Sequence, residues 1–482
     1  MSDLTFIGAS ELAALIRGRQ VSAMEVLDAY LDRINRYNSR LNAIVTLDAE
    51  RARVRAREAD AVTARGETWG TLHGVPITIK DAIETAGLRT TGGYPPLADY
   101  IPAEDASVVK RLKDAGAIII GKTNLPVLSA DYRADNPIFG RTNNPWDPGR
   151  TPGGSTGGGA AALAAGLTAL EIGSDIAASL RNPAHCCGVF ALKPTEHRVP
   201  LTGHIPEPPG MMRGVRHMNT IGPLARAVED LTLALHVIAG PDGREWEVPP
   251  VPLDEPPVKS LQETKLAWLD DFGGVPICRN TGSALRQLAA ELKQQGCTVE
   301  RKAPEGFDFT MAWEAWGEIL MAERAATAPE RALERVAALN AGVDSEIALY
   351  RGMARGVNAT MQQYTESLTK RDTLIGILES FFQHWDALLC PVMVGPAIPH
   401  VPFGTPVDVD GEQVSYLLAA TAHTCPFNLT GHPAVVVPLA RSTEGLPIGL
   451  QIVGPRWGEK ALLALARQLT GITGPFQRPP GY

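Results

Sequence analysis

The sequence predicts an α/β fold, one domain with a β-sheet covered by helices and a helical insertion. Three observations carry this. Short β-branched runs alternate with amphipathic patterns from about residue 71, the signature of strands packed under helices. From about 241 to 384 the texture becomes largely helical. From Trp385 short apolar strands return, as in Ala434-Val435-Val436-Val437 and Gly449-Leu450-Gln451-Ile452-Val453. One domain whose two ends complete a common sheet accounts for all three, and no tandem repeat is present.

The bulk properties bound the function. A chain of 482 residues, 44% hydrophobic, can bury a large core, and a charged fraction of 20% is that of an ordinary globule. A net charge of −8 offers no electrostatic footprint for nucleic acid. Gly, Pro and polar residues interrupt every apolar stretch, so no membrane partner is expected. The start Met1-Ser2-Asp3-Leu4 lacks the basic and apolar regions of a secretory signal, and the expected location is cytoplasmic. Six cysteines are too few for a disulfide scaffold, and none form a C-x-x-C pair. Cys186 and Cys187 are neighbours beside His185, but adjacent side chains rarely converge on one tetrahedral ion. They read as buried thiols, with no metal and no cofactor.

Taken in order, residues 1–65 read as helix. Leu12, Leu15 and Ile16 recur at helical spacing, as do Leu27, Leu31 and Ile34. Ser22-Ala23-Met24-Glu25 has the form of a capping box. The core, 66–240, opens with Gly74-Val75-Pro76-Ile77-Thr78-Ile79-Lys80-Asp81, a strand ending at Lys80. Ala106 to Ala115 reads as a helix and Ala117-Ile118-Ile119-Ile120-Gly121 as a buried strand. Residues 135 to 154 are rich in Asn, Pro and Gly and read as loop. Ala160 to Leu170 follows as a small-residue helix. The insertion, 241–384, opens with a Pro-rich linker (Pro249-Pro250, Pro252, Pro256-Pro257), and its Trp313, Trp316, Leu320 and Met321 share helical spacing. Residues 385–482 complete the core.

Three segments could carry chemistry: Lys80, Thr151-Pro152-Gly153-Gly154-Ser155-Thr156-Gly157-Gly158-Gly159, and Gly173-Ser174-Asp175-Ile176-Ala177-Ala178-Ser179-Leu180-Arg181-Asn182-Pro183. A Gly-rich loop entering a helix suggests anion binding, but a phosphate loop ends in Gly-Lys-Ser/Thr, and this one continues Gly158-Gly159-Ala160-Ala161. Gly153-Gly154-Ser155-Thr156-Gly157 fits a G-x-S-x-G nucleophile elbow in spelling. That elbow must follow a strand, and Asn143-Asn144-Pro145-Trp146-Asp147-Pro148-Gly149 does not form one. Singly, a lysine at a strand end is ordinarily a solvated charge, and a serine in a Gly loop serves turn geometry. Their joint occurrence, in this order and with these flanks, is what carries weight.

These residues, with Leu72-His73-Gly74-Val75-Pro76, Gly121-Lys122-Thr123-Asn124, Gly140-Arg141-Thr142-Asn143-Asn144-Pro145, Gly188-Val189-Phe190-Ala191-Leu192-Lys193-Pro194-Thr195, Phe427-Asn428-Leu429-Thr430-Gly431-His432-Pro433-Ala434 and Gly445-Leu446-Pro447-Ile448-Gly449-Leu450-Gln451, resemble the amidase signature hydrolases. The resemblance covers most of the chain outside the insertion. It implies a single amidase-signature domain with a central mixed β-sheet covered on both faces by helices. It also implies a serine hydrolase of amide-type C–N bonds in which Ser179 is the nucleophile, Ser155 the bridging serine and Lys80 the base. The physics agrees. Serine needs an adjacent base, none of the ten histidines lies in the serine segments, and lysine can serve only when neutral. Bringing a lysine from a pKa of about 10.4 to near neutrality costs roughly 4 kcal/mol, which desolvation at the end of a buried strand can supply. Backbone N–H groups of Ile176, Ala177 and Ala178, with Ser179, would hold the oxyanion. Thr156, Asp175 and Arg181 would support the loops, the last two by pairing.

Two positions depart from the family pattern. Ala177-Ala178 stands where the family usually has Gly-Gly, so either the loop takes ordinary dihedrals or it carries strain. Thr156 stands where Ser is usual, and a hydroxyl remains. The insertion offers no evident charged selectivity element. Trp313 and Trp316 could line an apolar pocket, or belong to the helix core, and Arg198 could sit at the pocket mouth. The expected substrate is therefore a neutral aryl or medium-chain amide, with esters and carbamates (urethanes) also cleaved. A glutaminase-like subunit of a tRNA amidotransferase and a catalytically silent binding module are the competing readings. The sequence leaves the oligomeric state open.

Overall fold

Strands form where β-branched and apolar residues run together. The computed structural model describes residues 3–205, 209–255 and 259–482, so Met1-Ser2 and the Pro256-Pro257 part of the linker lie outside the described residues. In chain order the strands are β1 (Ile44–Leu47), β2 (Pro76–Lys80), β3 (Ile118–Thr123), β4 (Asp135–Asn136), β5 (Gly140–Arg141), β6 (Glu171–Asp175), β7 (Phe190–Lys193) and β8 (Thr220–Ala225). They continue with β9 (Lys265–Trp268), β10 (Thr298–Arg301), β11 (Ala387–Pro391), β12 (Val407–Val409), β13 (Glu412–Val414), β14 (Ala434–Arg441) and β15 (Pro447–Val453).

Eleven of them form one sheet in the order β1-β3-β2-β6-β8-β7-β14-β15-β11-β9-β10. It is mixed. β2 pairs in parallel with both β3 and β6, and β9 with β10 and β11, whereas β6 through β15 pair antiparallel. β2, β6, β7, β8, β11 and β15 are buried at every residue, which requires cover on both faces. The two-residue pair β4–β5 lies within the Asn-, Pro- and Gly-rich stretch read as loop. No helix among the described residues is long and apolar enough to cross a membrane.

The N-terminal segment contains helices Ala9–Arg17, Ala23–Leu41 and Ala49–Ala64. Ser22 Oγ accepts from Glu25 N at 3.0 Å, and the Glu25 carboxylate accepts from Ser22 N at 2.8 Å, closing the expected capping box. The segment is not all helix, however. Asn42 takes a left-handed φ of 53°, ending the second helix, and Ile44–Leu47 becomes an edge strand against β3. The helix read at Ala160 to Leu170 runs instead from Gly157 to Ala164. It stops because Gly166 turns the chain at φ 72° before β6.

All six cysteines are free and buried. Gly449 N donates to His185 Nδ1 and His185 Nε2 bonds Gly395 O, each at 3.0 Å, so the main chain occupies both ring nitrogens.

The segment 241–384 is also not purely helical, because β9 and β10 extend the sheet beside β11. Its helices Phe309–Ala325 and Ala348–Val357 pack through glycines. A Cβ on Gly352 would lie 2.1 Å from Glu314 O, and one on Gly356 2.4 Å from Glu318 O. Gly352→Ala is expected to push these helices apart and lower stability by about 1–3 kcal/mol. Gly376→Ala, in helix Met361–Phe382 with open space around it, is expected to raise stability by up to about 1 kcal/mol. Paired denaturant titrations measure both.

Candidate active site

β2, flanked by β3 and β6, ends at Lys80 and places its amine among hydroxyls. Lys80 is fully buried. Its Nζ lies 2.6 Å from Ser155 Oγ and 3.1 Å from Ser174 Oγ. Burial lowers its pKa to about 7, against the opposing pull of the Asp175 and Glu171 carboxylates. An amine so placed exchanges its proton near neutral pH. Glu171 is buried in turn. It accepts from Thr123 Oγ1 at 2.6 Å and from Thr78, and burial raises its pKa to about 7.

The Gly-rich loop brings Ser155 to that amine because neighbouring backbone approaches closely. Gly153 takes φ 79°, and a Cβ there would meet Pro183 backbone at 2.8 Å. On the facing strand, a Cβ on Gly173 would lie 2.4 Å from Thr156 Cγ2. Thr156 N donates to Ser179 O at 3.2 Å, and Thr156 Oγ1 to Ser174 O at 3.4 Å. The two serine segments are thus stitched through Thr156.

Ser179 is 4% exposed and lines a small chamber, where its hydroxyl has no protein partner among the described residues. The N–H groups of Ile176, Ala177, Ala178 and Ser179 likewise have no protein acceptor among the described residues. Consecutive amides without acceptors are uncommon in a protein interior and suit a developing oxyanion. Neither Ala177 nor Ala178 takes a positive φ, so the methyl groups that replace the family's glycines cost no backbone strain.

A buried ion pair holds this loop. Arg181 Nη2 lies 2.9 Å from Asp175 Oδ1, and Arg181 Nε 3.1 Å from Asp175 Oδ2. The guanidinium also donates to Thr424 O at 2.9 Å, Gln451 Oε1 at 2.7 Å, Ala177 O at 3.2 Å and Asn428 Oδ1. Asp175 further accepts from Leu180 N at 3.0 Å and Asn428 Nδ2 at 2.9 Å. Burial would raise the Asp175 pKa, but the Arg181 charge and these donors outweigh it and bring it down to about 2.

The remaining sequence candidates divide. Trp316 lines the chamber, its Nε1 donating to Ile176 O at 3.0 Å. Trp313 is core, its Nε1 held by Ala422 O at 3.0 Å. Arg198 is not at the pocket mouth. It is buried against Glu459 at 2.8 Å and donates to Trp457 O, because a guanidinium inside the protein needs a carboxylate partner and finds it on the C-terminal helix. The insertion, in which no charged selectivity element is evident from sequence, does bring charge to the chamber. Arg324 and Arg335 line the chamber, and both reach an adjoining cavity of about 460 Å³ walled by Met321 and Phe403. Arg335 stacks over Phe403 at 4.1 Å.

Sequence reasoning missed Glu171, Ser174 in contact with Lys80, Ser129 and His204. Ser129 takes φ 57° and borders the chamber with a buried hydroxyl that has no partner among the described residues. No local pattern marks any of them, since each acquires its neighbours through the fold.

Arg181→Met would leave Asp175 buried without its counter-charge, and is expected to cost about 3–5 kcal/mol of stability. The wild-type contribution of this carboxylate is complete above its ordinary pKa near 4 and lost as pH falls toward 2. The gap between variant and wild type in urea titrations should therefore narrow from pH 5 to pH 2.

Comparison with known proteins identifies the family. The Amidase family profile matches residues 25–463. The chain is 36% identical over 471 residues to the indoleacetamide hydrolase of Bradyrhizobium diazoefficiens, covering 97% of this chain and 86% of that one. It is 32% identical over 516 residues to a subunit of the glutamyl-tRNA(Gln) amidotransferase from Anaeromyxobacter sp. (strain K), covering 99% and 98%. Among solved structures, a bacterial aryl acylamidase of the amidase signature family superposes with a TM-score of 0.82 at 25% identity, over 100% of both chains. A 6-aminohexanoate cyclic dimer hydrolase gives 0.81 at 28% identity, over 100% and 99%. The chain therefore belongs to the amidase family, the amidase-signature hydrolases of carbon–nitrogen bonds.

Proposed function

We propose that this enzyme hydrolyses neutral aryl or medium-chain amides through an acyl-enzyme on Ser179, with Lys80 as base and Ser155 as relay. Esters and carbamates are further substrates in this reading. One observation carries it: the Lys80 amine lies 2.6 Å from Ser155 Oγ at a fully buried position, where burial brings its pKa to about 7.

The cycle builds on that contact and requires the Ser179 hydroxyl to meet Ser155 Oγ when substrate is bound. Neutral Lys80 takes the Ser155 proton as Ser155 takes that of Ser179, and Ser179 Oγ attacks the carbonyl carbon. Negative charge collects on the carbonyl oxygen, and the N–H groups of Ile176, Ala177, Ala178 and Ser179 receive it. The Lys80 ammonium then returns a proton through Ser155 to the leaving nitrogen, the C–N bond breaks, and water releases the acyl group by the same path. Asp175 and Arg181 hold the loop and do not touch substrate.

The aryl preference rests on the aromatic walls, Tyr132 and Trp316, of the chamber at Ser179. It also rests on likeness to an indoleacetamide hydrolase and an aryl acylamidase. Six buried thiols without a disulfide suit a reducing, cytoplasmic setting. Likeness to glutamyl-tRNA(Gln) amidotransferase subunits favours a second reading, in which the chain is the glutaminase-like component of a complex and works with a partner. Turnover of simple anilides by the purified chain alone decides for the first.

Ser179→Ala is expected to abolish anilide turnover and labelling by a fluorophosphonate. Lys80→Ala and Ser155→Ala should each lower kcat/KM by about 10²–10⁴-fold or more. Full activity in Lys80→Ala would remove the mechanism.

The pH dependence has a definite sign. The base works only when neutral, so wild-type kcat/KM should rise with pH through a limb at about 7 and level off above it. Rates on a neutral anilide between pH 5 and 9 measure this, and a flat profile would contradict it.

A further inference from the structure

Lys80 has a second partner whose own contacts lead elsewhere. Ser174 Oγ, 3.1 Å from Lys80 Nζ, lies 2.9 Å from His204 Nε2. His204 Nδ1 lies 3.2 Å from Asn219 Nδ2. An amide nitrogen only donates, so Nδ1 accepts and the neutral ring carries its proton on Nε2, directed at Ser174. His204 and Asn219 also border a cavity of about 390 Å³ that reaches solvent at the exposed Trp246. Among the described residues that cavity shares no lining residue with the chamber at Ser179, and it meets the cavity of about 460 Å³ at Met211 and Val215. The catalytic amine thus stands one hydroxyl and one imidazole away from a second opening.

We propose that His204 is a positioning residue acting on Lys80 through Ser174: its Nε2–H holds the Ser174 hydroxyl against the amine, and its ring walls the amine off from the second cavity. Ser174 receives one N–H from His204 and keeps both a proton and a lone pair for Lys80. It can donate to the neutral amine and accept from the ammonium, so the contact survives both halves of the cycle. The wall matters because dryness is what makes the amine a base. Water reaching Nζ would solvate the ammonium and restore a higher pKa.

The charges around the pair suit this role. Glu171 and Asp175 on β6 face Lys80, as does the neutral His204. Facing His204 are Lys80 from β2 and Arg213 from the cavity wall, and desolvation of the half-buried ring, with the Arg213 charge and that of Lys80 when protonated, keeps the imidazole neutral, its pKa lowered to about 3. Among the described residues, Glu84, Arg216, Arg244, Glu245 and Glu247 are the other charged groups lining the cavity, with Glu245 and Glu247 paired to Arg213.

The inference rests on Lys80 being the base, and the test separates the two. The pH profile of kcat/KM on a neutral anilide is measured for wild type, His204→Ala, His204→Gln and Lys80→Ala. In His204→Ala the acid limb should move up by about one pH unit, lowering kcat/KM about tenfold below neutrality, with recovery at high pH and unchanged KM. His204→Gln, which keeps an N–H donor and most of the volume, should return the limb toward 7. Where His204→Ala does not fold, as judged by thermal unfolding, His204→Ser replaces it with the same expected shift. A parallel loss at every pH with the limb still at about 7 would overturn the proposal, as would a limb that His204→Gln leaves displaced. If Lys80→Ala itself keeps a limb at about 7, the reading of Lys80 as base fails instead.

Discussion

A primary amine kept out of water at the end of β2 is the constraint on which the rest of this structure depends. A buried lysine is tolerable only if it gives up its charge or gains compensation. Here burial lowers the pKa, while Glu171 and Asp175 stop it from falling further. Lys80 is therefore held between two regimes, neutral enough to accept a proton and charged enough to return one. Two hydrogen-bonding neighbours, Ser155 and Ser174, the latter itself bonded to His204, give the amine partners in either state.

The loop that carries Ser179 solves a different problem. Residues 176–179 leave their N–H groups without protein acceptors among the described residues, an arrangement that must be stabilised from outside the loop. The Asp175–Arg181 pair does this from both ends, with Asn428 and Gln451 from the C-terminal part of the chain supplying further contacts. A buried pair of this kind adds little net stability but strongly penalises loss of either partner. Because its contacts come from segments about 240 to 270 residues apart in sequence, the site forms only when both ends of the chain have joined the sheet. Ordinary dihedrals at Ala177 and Ala178 show that this loop does not need the conformational freedom of glycine.

The insertion sets what can reach Ser179. Its helices are locked by glycine contacts, which fixes Trp316, Leu320 and Met353 as chamber walls and places Arg324 and Arg335 between the chamber and the larger cavity. β9 and β10 tie the same segment into the sheet. The chamber at Ser179 is therefore built against the sheet that carries Lys80, and not on a separate lobe.

Local sequence determined the strand ending at Lys80, the capping box at Ser22, the Gly-rich approach of Ser155 and the pairing of Asp175 with Arg181. Each depends on residues a few positions apart, where β-branching, capping and close backbone approach act directly. The sequence also carried the family, because its motifs mark positions where backbone and hydroxyl groups must meet. Tertiary structure alone decided that Glu171 and His204 stand around the amine, that Arg198 belongs to Glu459, and that arginines of the insertion reach the chamber. It also placed β1 and β10 at the two edges of the sheet and β9 between β10 and β11. Burial and charge pairing are properties of which distant segments are brought together, and no local pattern encodes them.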